Sequence, residues 1–270
     1  MPAAQNHVKT PFQTLFAVPM TCDSCVKSVS DALYGLDGIV KVDVSLKDQL
    51  VTVEGTAAPS AIVSTIEATG RDAILRGSGA SNSAAVAILE TYHQSQEGGD
   101  ELVPASAPEA ATPYSGVKDR QVRGLARMVQ VSPETTLVDL TIRGVAPGVY
   151  SASIREYGDL KYGATSTGPI WKGSNSTTQP RGLLGTLIIG KDGHGSVFLD
   201  HPFQVWEVIG HAMVVSSQGE DKGALENDAN TVVGVIARSA GVWDNDKTVC
   251  SCTGKTLWEE RKDEVKKGMI

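Results

Sequence analysis

Two short stretches hold all four thiols of this chain: Cys22 and Cys25 in FAVPMTCDSCVKSV, and Cys250 and Cys252 in VCSCTGK. A thiolate, not a thiol, is the nucleophile and the metal ligand. A free cysteine has a pKa of about 8.5, and a helix N-terminus lowers it. Two soft thiolates select Cu(I), or Zn(II) where further ligands arrive. A two-ligand ion stays open to an incoming thiol, which suits transfer rather than storage. The second pair adds redox chemistry. In an extended chain, residues two apart have Cα atoms roughly 6.6–7 Å apart, whereas a relaxed disulfide wants roughly 5.5–6 Å. A Cys250–Cys252 disulfide is therefore expected to be strained, labile and oxidising. Lys247 and Lys255 stand near enough in sequence to lower those thiols, while Arg261 and Lys262 read as a solvated, charged tail.

The first pair needs a strand-to-helix junction to work in this way. Phe12, Phe16 and Val18 fall on one face of a strand, and from Val26 the apolar positions Val29, Ala32, Leu33 and Leu36 follow a helical spacing. Asp23 or Ser24 is the expected cap, and Met20 reads as a core anchor for the loop rather than a thioether ligand. Val40, Val42, Val44 and Leu46 alternate with polar residues, Lys47-Asp48-Gln49 turns the chain, and Val51 and Val53 continue a second strand. Pro59 opens a helix carrying Ile62, Val63 and Ile66, and 72–77 is a last short strand. The predicted order is βαββαβ, an α+β ferredoxin-like unit over residues 1–78.

GSGASNS (77–83) reads as a linker. Beyond it come short strands near 83–91, 121–131, 136–142, 149–156, 183–189, 195–199, 211–216 and 232–237, with glycine-rich turns between them. That pattern predicts an all-β Greek-key sandwich or barrel over 79–241. Residues 94–116 are poor in large apolar groups and read as disordered. From 242 to 270 a short, flexible C-terminal tail is expected, in which Trp258 of KTLWEERK anchors a short helix on a partner or packs within the tail.

Composition bounds the rest. With 270 residues there is room for two cores, and 41% hydrophobic with 20% charged residues is ordinary for a globular protein. A net charge of −7 argues against nucleic acid or an anionic membrane as partner. No apolar run approaches the roughly 18 residues of a membrane span, and the first residues lack a secretory pattern. A cytoplasmic chain using its thiols for metal or redox work is expected.

Three readings of the thiols compete with copper transfer. A thioredoxin-like CxxC also sits at a strand-to-helix junction, although the element order fits it poorly. Two unreactive buried cysteines are the structural alternative to any thiol chemistry. A third reading puts all four cysteines on one structural zinc, in a zinc-stabilised interaction protein; the CxC spacing and the wide separation of the pairs speak against it.

PMTCDSC is similar to the M-x-C-x-x-C of copper-carrying domains in small copper chaperones and copper-transporting ATPases, and the lack of a membrane span excludes the latter. Two later segments, SIREYGDLKYGATSTGPIW (153–171) and TVVGVIARSAG (231–241), resemble Cu,Zn superoxide dismutase. Where that family carries copper ligands, a disulfide cysteine and the bridging histidine, this chain has Ser153, Arg155, Ala164 and Ile170, and Val233 replaces the second disulfide cysteine. No histidine stands at the matching places near Gly185 and Ser216, and His7, His93, His194, His201 and His211 match none of the ligand positions. The whole arrangement, with VRGLARMVQV and VCSCTGKTLWEERK, resembles the copper chaperones for superoxide dismutase over roughly residues 12–262, and among them the fungal branch.

That resemblance implies Cu(I) on Cys22, Cys25, Cys250 and Cys252, thiol-disulfide exchange by Cys250 and Cys252, and no dismutase activity; zinc is possible but not expected at the middle domain. It implies Cu,Zn superoxide dismutase as a heterodimeric partner, held through Tyr157, Gly158, Asp159, Ile209, Gly210, Gly234, Val235, Ile236 and Ala237. The competing reading for Ile209, Val235 and Ile236 is plain strand core. A self-dimer through the same contact is compatible with the resemblance, as is a fraction in the mitochondrial intermembrane space. It also moves 94–116 from linker to a long loop between the first two strands of the middle domain.

Overall fold

The computed structural model describes residues 10–93, 120–173, 180–219, 225–242 and 255–266. Its N-terminal unit runs β1 (Phe12–Ala17), α1 (Asp23–Tyr34), β2 (Ile39–Ser45), β3 (Leu50–Gly55), α2 (Pro59–Glu67) and β4 (Ile74–Ser78). The sheet is antiparallel in the order β2-β3-β1-β4. β1 is central, and so its sequence is apolar at most positions, with Phe16 fully buried. Both helices cover one face. Val29 and Leu33 of α1 and Ile62 and Ile66 of α2 pack with Phe16, Val51 and Val53, and each fully buried aliphatic side chain contributes roughly 1.5–3 kcal/mol.

The middle unit is a nearly closed barrel. Its strands are β5 (Ala84–Thr91), β6 (Val122–Ser132), β7 (Thr135–Arg143), β8 (Gly148–Arg155), β9 (Leu183–Ile189), β10 (His194–His201), β11 (Ala212–Ser216), β12 (Thr231–Val235) and β13 (Ala237–Ser239), with a short helix α3 (Val205–Val208). The order is β10-β7-β6-β5-β12-β11-β8-β9, with β13 also on β5, and β9 and β10 lie against each other at the seam. Alternate residues fill the interior, among them Ala87, Leu89, Ala126, Met128, Leu140, Tyr150, Ile154 and Met213. The stretch read as one strand over 232–237 is two. The Ile236 amide turns aside to donate to the His211 carbonyl at 2.9 Å, after which β13 returns along β5. The 94–116 stretch lies outside the described residues; the strands on either side of it, β5 and β6, are paired neighbours.

The linker expectation for 77–83 is corrected. Gly77 and Ser78 belong to β4. The Ser78 amide donates to the Ala240 carbonyl at 3.2 Å, and the Val242 amide to the Gly79 carbonyl at 3.0 Å. A Cβ on Gly77 would collide with the Gly241 carbonyl oxygen. The glycines here serve close backbone approach, not looseness.

A second joint ties the units together. α2 starts at Pro59 with Ala58 as N-cap, and no side chain of its own unit caps it. Asp139 on β7 does so instead, accepting from the Ser60 amide at 2.8 Å and the Ser60 hydroxyl at 2.6 Å. Asp139 is 2% exposed and faces Arg127 Nη1 at 3.5 Å. A carboxylate from the barrel thus completes a helix of the neighbouring unit.

The tail contributes α4 (Leu257–Lys266). Thr256 and Glu259 form a reciprocal capping box: the Thr256 amide donates to Glu259 Oε2 at 2.8 Å, and the Glu259 amide to Thr256 Oγ1 at 3.3 Å. Arg261, expected to be solvated, is instead 15% exposed and paired with Glu67 at 2.5 Å and Asp72 at 3.7 Å. The KTLWEERK helix exists, then, and its arginine is not free.

Candidate metal centre

The end of the β1–α1 loop and the first turn of α1 carry the first thiol pair. Cys22 itself is the N-cap of α1, in extended conformation, and its carbonyl accepts from the Cys25 and Val26 amides at 3.0 and 3.3 Å. Asp23 is the first helical residue, so neither Asp23 nor Ser24 caps the helix, and no side-chain cap bond forms. The first-turn amides keep their positive partial charge for the sulfurs beside them. Cys22 is exposed, and its Sγ lies 3.4 Å from that of half-buried Cys25, within thiol hydrogen-bond reach and with no disulfide joining them. Cys22 Sγ also meets Ser24 Oγ at 2.9 Å, and Cys25 Sγ meets Thr21 Oγ1 at 3.6 Å.

The Cys25 thiol is acidified by its neighbours. Arg71, the strongest influence, together with the Thr21 amide and hydroxyl and the Cys22 thiol, stabilises its thiolate and lowers the pKa to about 6. At neutral pH this site presents a thiolate without any metal to force the proton off. The Arg71 guanidinium is itself held by the Thr69 carbonyl at 2.9 Å and hydroxyl at 3.0 Å. Replacing Arg71 with Met moves the midpoint of Cys25 alkylation by iodoacetamide from about 6 toward the ordinary thiol range. Mass spectrometry of the modified peptide across pH checks this, and an unmoved midpoint removes Arg71 from the site.

Gln49 fixes the loop from the other side. Its side-chain amide accepts from the Met20 N–H and donates to the Met20 carbonyl, both at 2.6 Å. Met20 is 4% exposed within the N-terminal core, the anchor position. Neither Arg71 nor Gln49 belongs to the thiol motif. The pairing of Ala17 with Ile74 brings the α2–β4 connection beside the β1–α1 loop, and Arg71 is the basic residue of that connection, which was the available signal.

Cys250 and Cys252 lie outside the described residues, as does Lys247. Among the described residues, no three His, Cys, Asp or Glu side chains gather as a metal site. In the barrel, Ser153 is buried, and Ala164 and Val233 lie in a small apolar cluster with Ala212, Val214 and Leu225. Arg155 is buried as well, and its Nε donates to the Gly168 carbonyl at 3.0 Å. A guanidinium thus occupies a position that the dismutase resemblance gives to a copper ligand, and a fixed cation there is hostile to a metal ion.

The residues expected at a partner face fall into two groups. Tyr157 is 56% and Val235 37% exposed, and Asp159, Gly210 and Ala237 are exposed beside them. Gly158 and Ile209 are half-buried, the latter against the core. Gly234 and Ile236 are buried within the fold of the chain itself. A Cβ on Gly234 would strike the Ile88 carbonyl oxygen, and one on Gly158 the Gly210 carbonyl oxygen. Those glycines let strands and loops close up beneath the face. Ile88, 54% exposed on the neighbouring strand, completes the apolar surface with Val235 and was not expected there.

Comparison with known proteins places both units. The heavy-metal-associated domain matches residues 14–72, and the copper/zinc superoxide dismutase domain matches residues 122–240. The superoxide dismutase 1 copper chaperone of Saccharomyces cerevisiae is 40% identical over 93% of this chain and 95% of its own. That of Debaryomyces hansenii is 42% identical over 96% and 98%. The chain belongs to the copper chaperones for superoxide dismutase. The human member, the copper chaperone for superoxide dismutase of Homo sapiens, is 33% identical over 91% of this chain and 88% of its own. In this family the dismutase-like unit belongs to a chaperone, not a dismutase, which accords with the arginine that fills its former ligand position. Among the described residues, no helix is long and apolar enough to cross a membrane.

Proposed function

We propose that this chain acquires copper as Cu(I) on Cys22 and Cys25, docks on Cu,Zn superoxide dismutase as a heterodimer, and completes delivery with Cys250 and Cys252. The observation that carries the reading is the pair of sulfurs 3.4 Å apart with Cys25 already acidic, on a chain whose dismutase-like barrel puts a buried arginine at a ligand position. Tyr157, Gly210, Val235, Ala237 and Ile88 form the client face, supported from beneath by Gly158, Gly234, Ile209 and Ile236, with Asp159 at its rim. A self-dimer on this face is the resting alternative when no client is present.

Two thiolates hold Cu(I) and leave it open to incoming thiolates, so the ion moves by ligand exchange with no change in its oxidation state. A Cys250–Cys252 disulfide exchanges with two client thiols: one S–S bond breaks, one forms, and the tail leaves as a dithiol carrying the two protons. Docking raises the effective concentration of the thiols at the client to the order of millimolar. Zinc has no place in the barrel in this scheme. The working compartment is the cytoplasm, with a fraction in the mitochondrial intermembrane space.

The test mixes Cu(I)-loaded protein with zinc-bound, copper-free, disulfide-reduced dismutase, a Cu(I) chelator and oxygen. Dismutase activity and client disulfide are read together, and both are expected to appear. If neither appears and zinc remains bound to all four cysteines, the chain is a zinc-stabilised interaction protein instead.

A further inference from the structure

The contact between α4 and the N-terminal unit joins residues 194 positions apart, Arg261 and Glu67. Glu67 ends α2, and Asp72, the second partner of Arg261, directly follows Arg71 of the thiol site. Arg261 also walls a cavity of about 750 Å3 between the two units, together with Val63, Leu75, Ile88 and Arg127. A ten-residue helix is marginal alone in water. α4 brings its own capping box and a Lys255–Asp263 ion pair at 2.5 Å, and Arg261 is its ion-pair link to the N-terminal unit.

We propose that α4 is a latch in cis: Arg261 pins the tail helix to the Glu67–Asp72 face of the free chain, and the pin yields when the tail is drawn onto a client. The release step rests on the delivery reading above; the docking does not. Glu67 is 40% and Asp72 55% exposed, against 15% for Arg261. Such pairs are weak and screened by salt, with a Debye length of about 8 Å at physiological ionic strength. A weak, polar hold suits a segment that has to leave.

Hydrogen–deuterium exchange on the full apo chain tests the docking without copper or client. Amides of 257–266 are expected to exchange several-fold more slowly in the parent than in Arg261→Glu. The same loss of protection is expected in Glu67→Lys, which leaves the tail sequence untouched. The charge-reversed pair, Arg261→Glu with Glu67→Arg, is expected to regain part of the protection, and salt of about 1 M to remove it. Equal exchange in the parent and both single variants overturns the latch. Protection that grows with protein concentration also overturns it, since a second copy then holds the helix. Retained protection in a chain that activates no dismutase refutes the delivery reading and leaves the docking standing.

Discussion

A chain carrying Cys250→Ser and Cys252→Ser loads copper on Cys22 and Cys25 as before, binds copper-free dismutase as before, and activates none of it above the level of client alone. Serine offers a neutral, hard oxygen in place of a soft thiolate, so the tail loses its grip on Cu(I). It also loses the only S–S bond that this part of the chain can form within itself. The single variants separate the two roles. One remaining thiolate still accepts copper together with client ligands, so Cys250→Ser retains part of the metal transfer and loses client disulfide formation. The Cys22→Ser, Cys25→Ser chain behaves differently: its deficit appears only when a chelator makes copper scarce. Activity and thiol-trapping assays on the same samples check both patterns. Normal activation by the Cys250→Ser, Cys252→Ser chain ends the delivery role of the tail.

The largest stability effect is expected at the joint between the units. Asp139→Ala costs about 3 kcal/mol, the low end for breaking a buried pair, because it strips the Ser60 amide and hydroxyl of their acceptor and leaves Arg127 without its carboxylate. Asp139→Asn keeps an acceptor for Ser60 but, like Ala, leaves Arg127 without a carboxylate, and is expected to recover only part of that deficit. Burial, opposed by Arg127 and Ser60, pushes the Asp139 carboxyl above its ordinary range. A raised carboxyl contributes most below the unfolded value, near about 3.9, and loses that contribution as pH rises through the folded one. The deficit of the Ala variant therefore narrows from acid toward neutral pH. Urea unfolding followed by tryptophan fluorescence measures both variants. If Asn costs as much as Ala, the charge pair with Arg127 and not the cap on α2 holds the joint.

The parts of this molecule written in local pattern were legible in advance. The alternation in Val42–Leu46, the helical spacing after Val26 and the regular short strands beyond residue 83 give the element order of both units because each reports its own burial period, whereas Val40, read with the first of them, is exposed beside a register shift. Cys22 and Cys25 stand out because their spacing is itself the motif. What was missed depends on partners far away in sequence. Arg71 matters only because the sheet brings its loop beside Cys25, and Asp139 caps a helix 79 residues away. The glycines at 77 and 79 were misread for a related reason. Glycine marks both loose chain and close backbone approach, and only the neighbour, here Gly241, distinguishes them. The break at Ile236 shows the same limit on the barrel, where its amide turns to the distant His211 carbonyl and splits one expected strand in two.

The seam formed by Gly77, Ser78, Ala240 and Gly241 makes the two units poor candidates for exchange by fusion. A copper-carrying unit grafted from another protein at residue 79 brings its own thiols. It does not bring a residue without a side chain to lie against the Gly241 carbonyl, nor a hydroxyl at the start of its second helix for Asp139. Modularity in this chain ends where its backbones touch, and chimeras have to inherit the seam along with the thiols.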